Sequence, residues 1–219
     1  MANGNRIAQF LLASRVMIEN SLQNDEIKQA LAVFGYTEEK LNNGKALYEK
    51  AEALHNTRKK EYGEQIAATA ELDNVWGEAE QQYMLTLKIA RVALRENVKA
   101  YKSTMILGDR KQSLSGWLEQ AKAFYGNLLG DADFLTALAA YGYTQEKLQQ
   151  ESALIDQVIA KHLAQKKETG EAQEATEMRD KALDDLAKWI SELRSVAKVA
   201  LESNPQQLEK LGILARSKV

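Results

Sequence analysis

The chain has 219 residues, a length that fits one domain or two small ones, and its 29 Lys and Arg against 31 Asp and Glu give a net charge of −2. Since nucleic-acid binding depends largely on clustered basic residues, this balance argues against a nucleic-acid partner. The absence of cysteine excludes disulfides, thiolate zinc sites and iron–sulfur clusters, and only two histidines remain for metal or acid–base chemistry.

The composition predicts an all-α fold. A single proline and 12 glycines interrupt the chain rarely, and the strong helix formers Ala, Leu, Glu, Lys and Gln dominate. No segment alternates apolar and polar residues over the length of a strand. The apolar run after Arg6 is interrupted by Arg15, and no run approaches the length of a membrane span. We therefore expect a soluble, cytoplasmic protein without a signal peptide.

The first elements are two helices separated by clear end signals. A first helix is predicted over about residues 6–23, and Asn24 is then the N-cap of a short second helix with acidic residues in its first turn. That helix ends at Gly35, at the position where a left-handed backbone suits glycine, and Tyr36 follows to pack against the helix end. Thr37 is the next N-cap. The Gly-Tyr-Thr motif is thus interpreted as a structural motif rather than a ligand-contacting loop.

A long helical stretch follows over about residues 38–107, and its charges favour a break. Residues 63–82 carry five acids and no base, whereas 83–107 carry five bases and one acid. A negative start and a positive end are what the helix dipole favours, which indicates a separate helix beginning near Gly63. The sequence therefore predicts a hairpin turn at about residues 62–70, over one continuous rod.

A shift of 107 residues superimposes the chain on itself without a gap, with 32 identities over 112 compared positions. Residues 30–41 lie on 137–148, for example, and both contain Gly-Tyr-Thr. We infer a tandem duplication in which repeats 1–107 and 108–219 pack together as one structural domain. The second copy repeats the predicted elements: a first helix over about 113–129, the N-cap Asp131, the motif Gly142, Tyr143 and Thr144, and a turn at about 169–176.

The expected architecture is an elongated antiparallel helical bundle built from two repeats of four helices each. The last helix of each repeat is the long one. In the second copy Pro205 should kink or end that helix, whereas Val98 continues it in the first.

The two histidines are the candidate metal-binding residues. Leu41, Tyr48 and His55 recur every seven residues, as in a coiled coil, which places His55 on the apolar stripe of its helix. Glu52 precedes His55 with the Glu-x-x-His spacing of di-iron carboxylate bundles, but no carboxylate stands three residues before His162. Half of the metal signature is therefore missing. The plainer interpretation is a pair of core histidines hydrogen-bonded to carboxylates.

Residues 83–102 form a predicted basic amphipathic helix. Such a helix can lie on an anionic membrane or enter a groove of a partner protein. The alternative is a bundle helix whose apolar face is core, and the recurrence of acidic and basic halves in both copies favours this alternative.

The sequence shows no nucleophile context, phosphate loop or catalytic constellation, so no enzymatic activity and no cofactor are predicted. The leading hypothesis is a non-enzymatic scaffold or protein-interaction protein, with a protein partner or a homodimer formed through its long helices. One alternative is a bundle that binds a metal or small ligand near His55 and His162. A second is a peripheral membrane-surface binder through residues 83–102.

Overall fold

The computed structural model describes residues 2–214, with side chains from Asn5 onward, and every regular element within that range is a helix. The all-α prediction is confirmed. The eight helices of the described range are α1 (Ala2–Gln23), α2 (Asp25–Val33), α3 (Glu38–Ala93), α4 (Val98–Ser103), α5 (Leu114–Leu129), α6 (Ala132–Ala139), α7 (Gln145–Ala200) and α8 (Pro205–Lys210). In residues 2–214, no helix has both the length and the apolar content needed to cross a membrane.

The short helices begin where the predicted N-caps stand. The side chain of Asn24 accepts a hydrogen bond from the backbone of Ile27 at 3.2 Å. At the start of α6, Asp131 accepts from the backbone of Asp133 and Phe134 at 3.0 and 3.3 Å. Each side chain satisfies amide groups that the helix itself leaves unpaired, and the two predicted caps are confirmed.

The Gly-Tyr-Thr motif closes one helix and opens the next in each copy. Gly35 and Gly142 both adopt a φ of +79°, the left-handed region that favours glycine. The Tyr36 amide donates to the carbonyl of Leu31 at 3.1 Å, and the corresponding bond in the second copy runs from Tyr143 to Leu138 at 3.2 Å. This is the Schellman arrangement of a helix end. The hydroxyls of Thr37 and Thr144 then cap α3 and α7 by accepting from the amides of Lys40 and Lys147.

The predicted hairpin turns at 62–70 and 169–176 are wrong, because α3 and α7 run unbroken through both segments for 56 residues each. Gly63 and Gly170 are helical, and only open space lies where their Cβ atoms would stand. A helical glycine costs about 1 kcal/mol relative to alanine, which the packing on either side of it outweighs. Neither glycine is followed by an N-cap, so nothing stabilises a new helix start there.

The break instead falls at 94–97 in the first copy and at 201–204 in the second. Asn97 caps α4 by accepting from the amide of Ala100 at 3.1 Å, and Pro205 is the first residue of α8. The prediction that Val98 continues the long helix is therefore wrong, as is the prediction of a single helix over 83–102. The apolar face of that segment is buried; Tyr83, Leu87, Ala90 and Leu94 are at most 2% exposed.

The chain forms two compact units, and their boundaries fall in the middle of the two long helices. Within the described range, unit 1 comprises residues 2–62 together with 171–214, and unit 2 comprises residues 63–170. Unit 1 therefore combines the beginning and the end of the chain. Unit 2 is its middle part. The tandem duplication and the packing of its repeats as one domain stay predictions.

The core of unit 1 joins α1, α2 and α8 to the adjoining parts of α3 and α7. Trp189 of α7 lies against Gly44 of α3 so closely that a Cβ at Gly44 would stand 2.2 Å from its ring. The ring of Tyr36 meets Trp189 edge-on, with 5.9 Å between centroids. The glycine thus makes room for the largest side chain of this core.

The core of unit 2 is built around aromatic rings of α3 and α5. The ring of Tyr83 lies perpendicular to that of Phe124, with 5.2 Å between centroids, and Trp117 and Tyr125 complete the group. All four residues are at most 1% exposed. Such edge-to-face contacts stabilise the core beyond the burial of apolar area.

Candidate functional site

The two histidines lie in different units and differ in burial. His55 is on the α3 part of unit 1 and is 7% exposed, whereas His162 is on the α7 part of unit 2 and is half-buried. In both, the ring atom Nδ1 is buried without a hydrogen-bond partner. Since buried polar atoms in folded proteins are almost always partnered, each of these nitrogens calls for an explanation.

His55 lines a cavity in unit 1 with a volume of about 1040 Å³. The cavity lies among α1, α3 and α7 and is partly open to solvent. The α3 wall carries His55, Arg58, Lys59 and Tyr62, the α7 wall carries Arg179, Asp180, Leu183 and Asp184, and α1 contributes Asn5 and Ile7.

The α3 wall holds cations that no carboxylate neutralises. The guanidinium of Arg58 lies over the ring of Tyr62, 4.7 Å from the centroid, and its Nε is buried without a hydrogen-bond partner. Within the part of the chain that the structure describes, neither Arg58 nor Lys59 forms an ion pair. On the facing wall, by contrast, Arg179 donates from Nε and Nη2 to Asp180 Oδ1 at 2.9 and 2.6 Å.

These surroundings hold His55 in its neutral form. Burial is the main reason that its pKa lies below the usual value of 6.5, because an imidazolium loses hydration there. The positive charges of Lys59, Arg179 and Arg58 lower the pKa further. A neutral imidazole with a free Nδ1 can donate or accept one hydrogen bond, depending on its tautomer.

Glu52, the third candidate metal ligand, is engaged elsewhere. Its Oε1 accepts a hydrogen bond from the hydroxyl of Tyr48 at 2.5 Å, and both residues line a smaller cavity of about 240 Å³ beside Arg15. Burial, reinforced by the hydrogen bond to Glu52, raises the pKa of Tyr48 to about 12. Among residues with described side chains, no group of three potential ligands close enough to share an ion includes either histidine. Metal binding by His55, His162 and Glu52 stays a prediction.

A buried carboxylate in unit 2 escaped the sequence analysis. Glu151 is 6% exposed, and its Oε2 accepts from the hydroxyls of Thr86 and Tyr125 at 2.6 and 3.2 Å. Its Oε1 is buried without a partner. Burial, with the nearby carboxylate second, raises the pKa of Tyr125, so that this residue remains a neutral donor. Its position in the sequence indicates burial, since Glu151 stands three residues after Leu148 on the apolar stripe of α7.

The sequence shift of 107 residues pairs Glu151 with Gly44, the residue that receives Trp189 in unit 1. The same position therefore holds a polar network in one unit and an aromatic contact in the other. The cavity differs as well, because Arg58 and Arg179 are matched in unit 2 by Gln165 and Leu72. The basic cavity wall is a property of unit 1.

Fold and geometry together define an all-α bundle protein with a basic cavity around a buried histidine. The chain matches no protein-family model, and it is similar to no curated protein and to no solved structure in the comparisons made.

Proposed function

We propose that the protein is a non-enzymatic binding protein that holds a small ligand in the unit 1 cavity. The observation that carries this proposal is the buried His55, whose unpartnered Nδ1 belongs to a side chain lining a cavity of about 1040 Å³. A buried polar atom without a hydrogen-bond partner generally costs about 1–3 kcal/mol, so a ligand that hydrogen-bonds to the His55 side chain would remove that cost.

The volume of the cavity is close to that of small-molecule sites. Ligand pockets typically enclose about 300–1000 Å³ and combine apolar walls with a few placed polar groups. Here Ile7 and Leu183 supply apolar surface, while the α3 and α7 walls supply charges.

The proposal is tested by a substitution that fills the cavity with a larger side chain. In unit 2 a tryptophan, Trp76, stands at the position matched to Leu183, so Leu183→Trp introduces into unit 1 the side chain that the other unit already carries. We expect compounds from a panel of neutral, cationic and anionic small aromatics to raise the Tm of the wild type, and none to raise that of Leu183→Trp. Differential scanning fluorimetry makes the measurement, and ligand-observed NMR verifies direct binding.

The matched control is Leu163→Trp, which adds the same ring at a site in unit 2 that is 65% exposed. It should respond to the panel as the wild type does. Equal shifts in the wild type and in Leu183→Trp, or no response of the wild type to any compound, would overturn the proposal.

A second candidate function, a protein-interaction role through a second copy of the chain, is supported by an exposed aromatic side chain at matched positions. Phe34 at the end of α2 is 48% exposed, and Tyr141 at the end of α6 is 51% exposed. Exposed rings of this size are enriched in protein interfaces. Sedimentation velocity tests the role: the wild type should be a dimer and Phe34→Ser/Tyr141→Ser a monomer, whereas a monomeric wild type at all concentrations contradicts it.

A further inference from the structure

The chemical character of the unit 1 cavity is asymmetric. Its α3 wall presents the two cations Arg58 and Lys59 beside His55, and neither cation has a carboxylate partner in the described part of the chain. On the α7 wall, Arg179 is already paired with Asp180. The α7 wall also carries the carboxylate of Asp184, so the cavity lining has three cations against two carboxylates, and the side chains of its α3 wall are positively charged without a carboxylate among them.

Two side chains of this wall each contain a buried nitrogen atom without a hydrogen-bond partner. The atoms are Nδ1 of His55 and Nε of Arg58, three residues apart and thus on the same face of α3. The Arg58 Nε is a donor, and the imidazole donates as well in the tautomer with its proton on Nδ1. Two neighbouring donors on a positively charged wall match the oxygens of a carboxylate or a phosphate. The same positive charge disfavours a metal cation.

Unit 2 has the matched histidine but lacks the arginine beside it. His162 and Lys166 occupy the positions matched to His55 and Lys59, but Gln165 stands where unit 1 has Arg58. The arginine is the difference between the two units at this wall.

We propose that the unit 1 cavity binds a small organic oxyanion, a carboxylate or phosphate monoester, whose charged oxygens are held by His55 and Arg58 and whose apolar body lies against Ile7 and Leu183. This inference rests on the proposed function and names its ligand class. Lys59, on the exposed edge of the same wall, attracts the anion into the cavity.

The test uses isothermal titration calorimetry of the full chain with four probes of similar shape. Benzoate and phenyl phosphate carry the oxyanion, benzamide is the neutral counterpart, and benzylamine is the cationic one. Both oxyanions should bind the wild type more tightly than benzamide does, and benzylamine should bind most weakly. Comparable affinity for benzamide and the oxyanions overturns the inference while leaving the proposed function intact, whereas no binding of any probe overturns both.

Variants locate the site. Arg58→Gln, which introduces the residue found in unit 2, should weaken both oxyanions by about tenfold or more and leave the affinity for benzamide unchanged. Lys166→Gln in unit 2 is the matched control and should bind like the wild type. If Arg58→Gln is unstable by circular dichroism, Lys59→Gln on the exposed edge replaces it, with weaker oxyanion binding at low salt as the expected result. Unchanged oxyanion affinity in the folded Arg58 or Lys59 variant overturns the inference.

Discussion

Burial and neighbouring charges together determine the pKa of His55. Its neutral imidazole is surrounded by Arg58, Lys59 and Arg179, with Asp180 and Asp184 on the facing wall. Burial and the three cations both oppose protonation, so the folded protein takes up this proton at lower pH than the unfolded chain does.

Stability should therefore fall on mild acidification. Below about pH 6.5 the unfolded chain binds a proton at His55 that the folded protein does not bind, which favours unfolding until the folded-state pKa is reached. Above that window His55 is neutral in both states and contributes no pH dependence. Urea unfolding of the wild type and of His55→Gln between pH 7.5 and 5.5 measures the effect, and the variant should show a flatter dependence. A slope that is the same in both proteins contradicts the assignment, and His162→Gln is the matched control.

Gly44 is constrained by the side chain packed on it. Because a Cβ at this position would stand 2.2 Å from the Trp189 ring, Gly44→Ala should force the ring out of its place and lower the free energy of unfolding by about 1–3 kcal/mol. Chemical denaturation monitored by tryptophan fluorescence reports both the stability and the ring environment. Gly77→Ala, in a part of α3 where only open space surrounds the new Cβ, should not lower stability, and equal losses in both variants would contradict this account.

At the scale of elements, local signals and tertiary packing decide different boundaries. The caps Asn24 and Asp131 could be predicted because a side chain and an amide three residues later suffice to form them. The unbroken course of α3 through residue 63 could not, because a glycine flanked by charges has no local feature that distinguishes a helix end from a tolerated interior residue. Packing on both sides of the glycine decides the outcome.

Gly63 and Gly170, in the middle of the two long helices, should therefore lower the stability of the protein, since neither forms a turn. Gly63→Ala and Gly170→Ala each place a methyl group in open space on a helical backbone, so each should raise the free energy of unfolding by about 0.5–1 kcal/mol. Urea denaturation of the two single variants and the double variant tests additivity. Gly35→Ala is the opposing control, since its φ of +79° strains any side chain and the substitution should destabilise. Destabilisation by the central substitutions would indicate that the helices do not pass straight through these residues.

The candidate site shows a similar division between what could and could not be predicted. The seven-residue spacing of α3 placed His55 on a buried face, and His55 is 7% exposed. The facing wall could not be predicted, because Arg179 and Leu183 lie more than a hundred residues away along the chain. Which cations remain unpaired depends on contacts across the unit, as the pairing of Arg179 with Asp180 illustrates.

At the scale of the whole molecule, each compact unit depends on residues from both halves of the chain, 1–107 and 108–219. The unit 1 core includes Leu31 and Leu41 from residues 1–107, and Leu186 and Leu193 from residues 108–219, all of them fully buried. Unit 2 likewise combines Leu87 from the first repeat with Phe124 from the second. A chain cut between the repeats separates the two halves of both cores.

Fragments 1–107 and 108–219 should consequently fail to fold as monomers and should fold when mixed. Each fragment alone leaves half of two apolar cores exposed, and the free energy of burying that surface is available only when the partner fragment supplies the other half. Circular dichroism should show low helicity and no cooperative melting for each fragment, with recovery of both in an equimolar mixture, and sedimentation should show a 1:1 complex. A single cut between residues 62 and 63 is the informative comparison, because unit 2, residues 63–170, then stays intact in one fragment. Cooperative melting of monomeric 1–107 would contradict the division of the cores between the repeats.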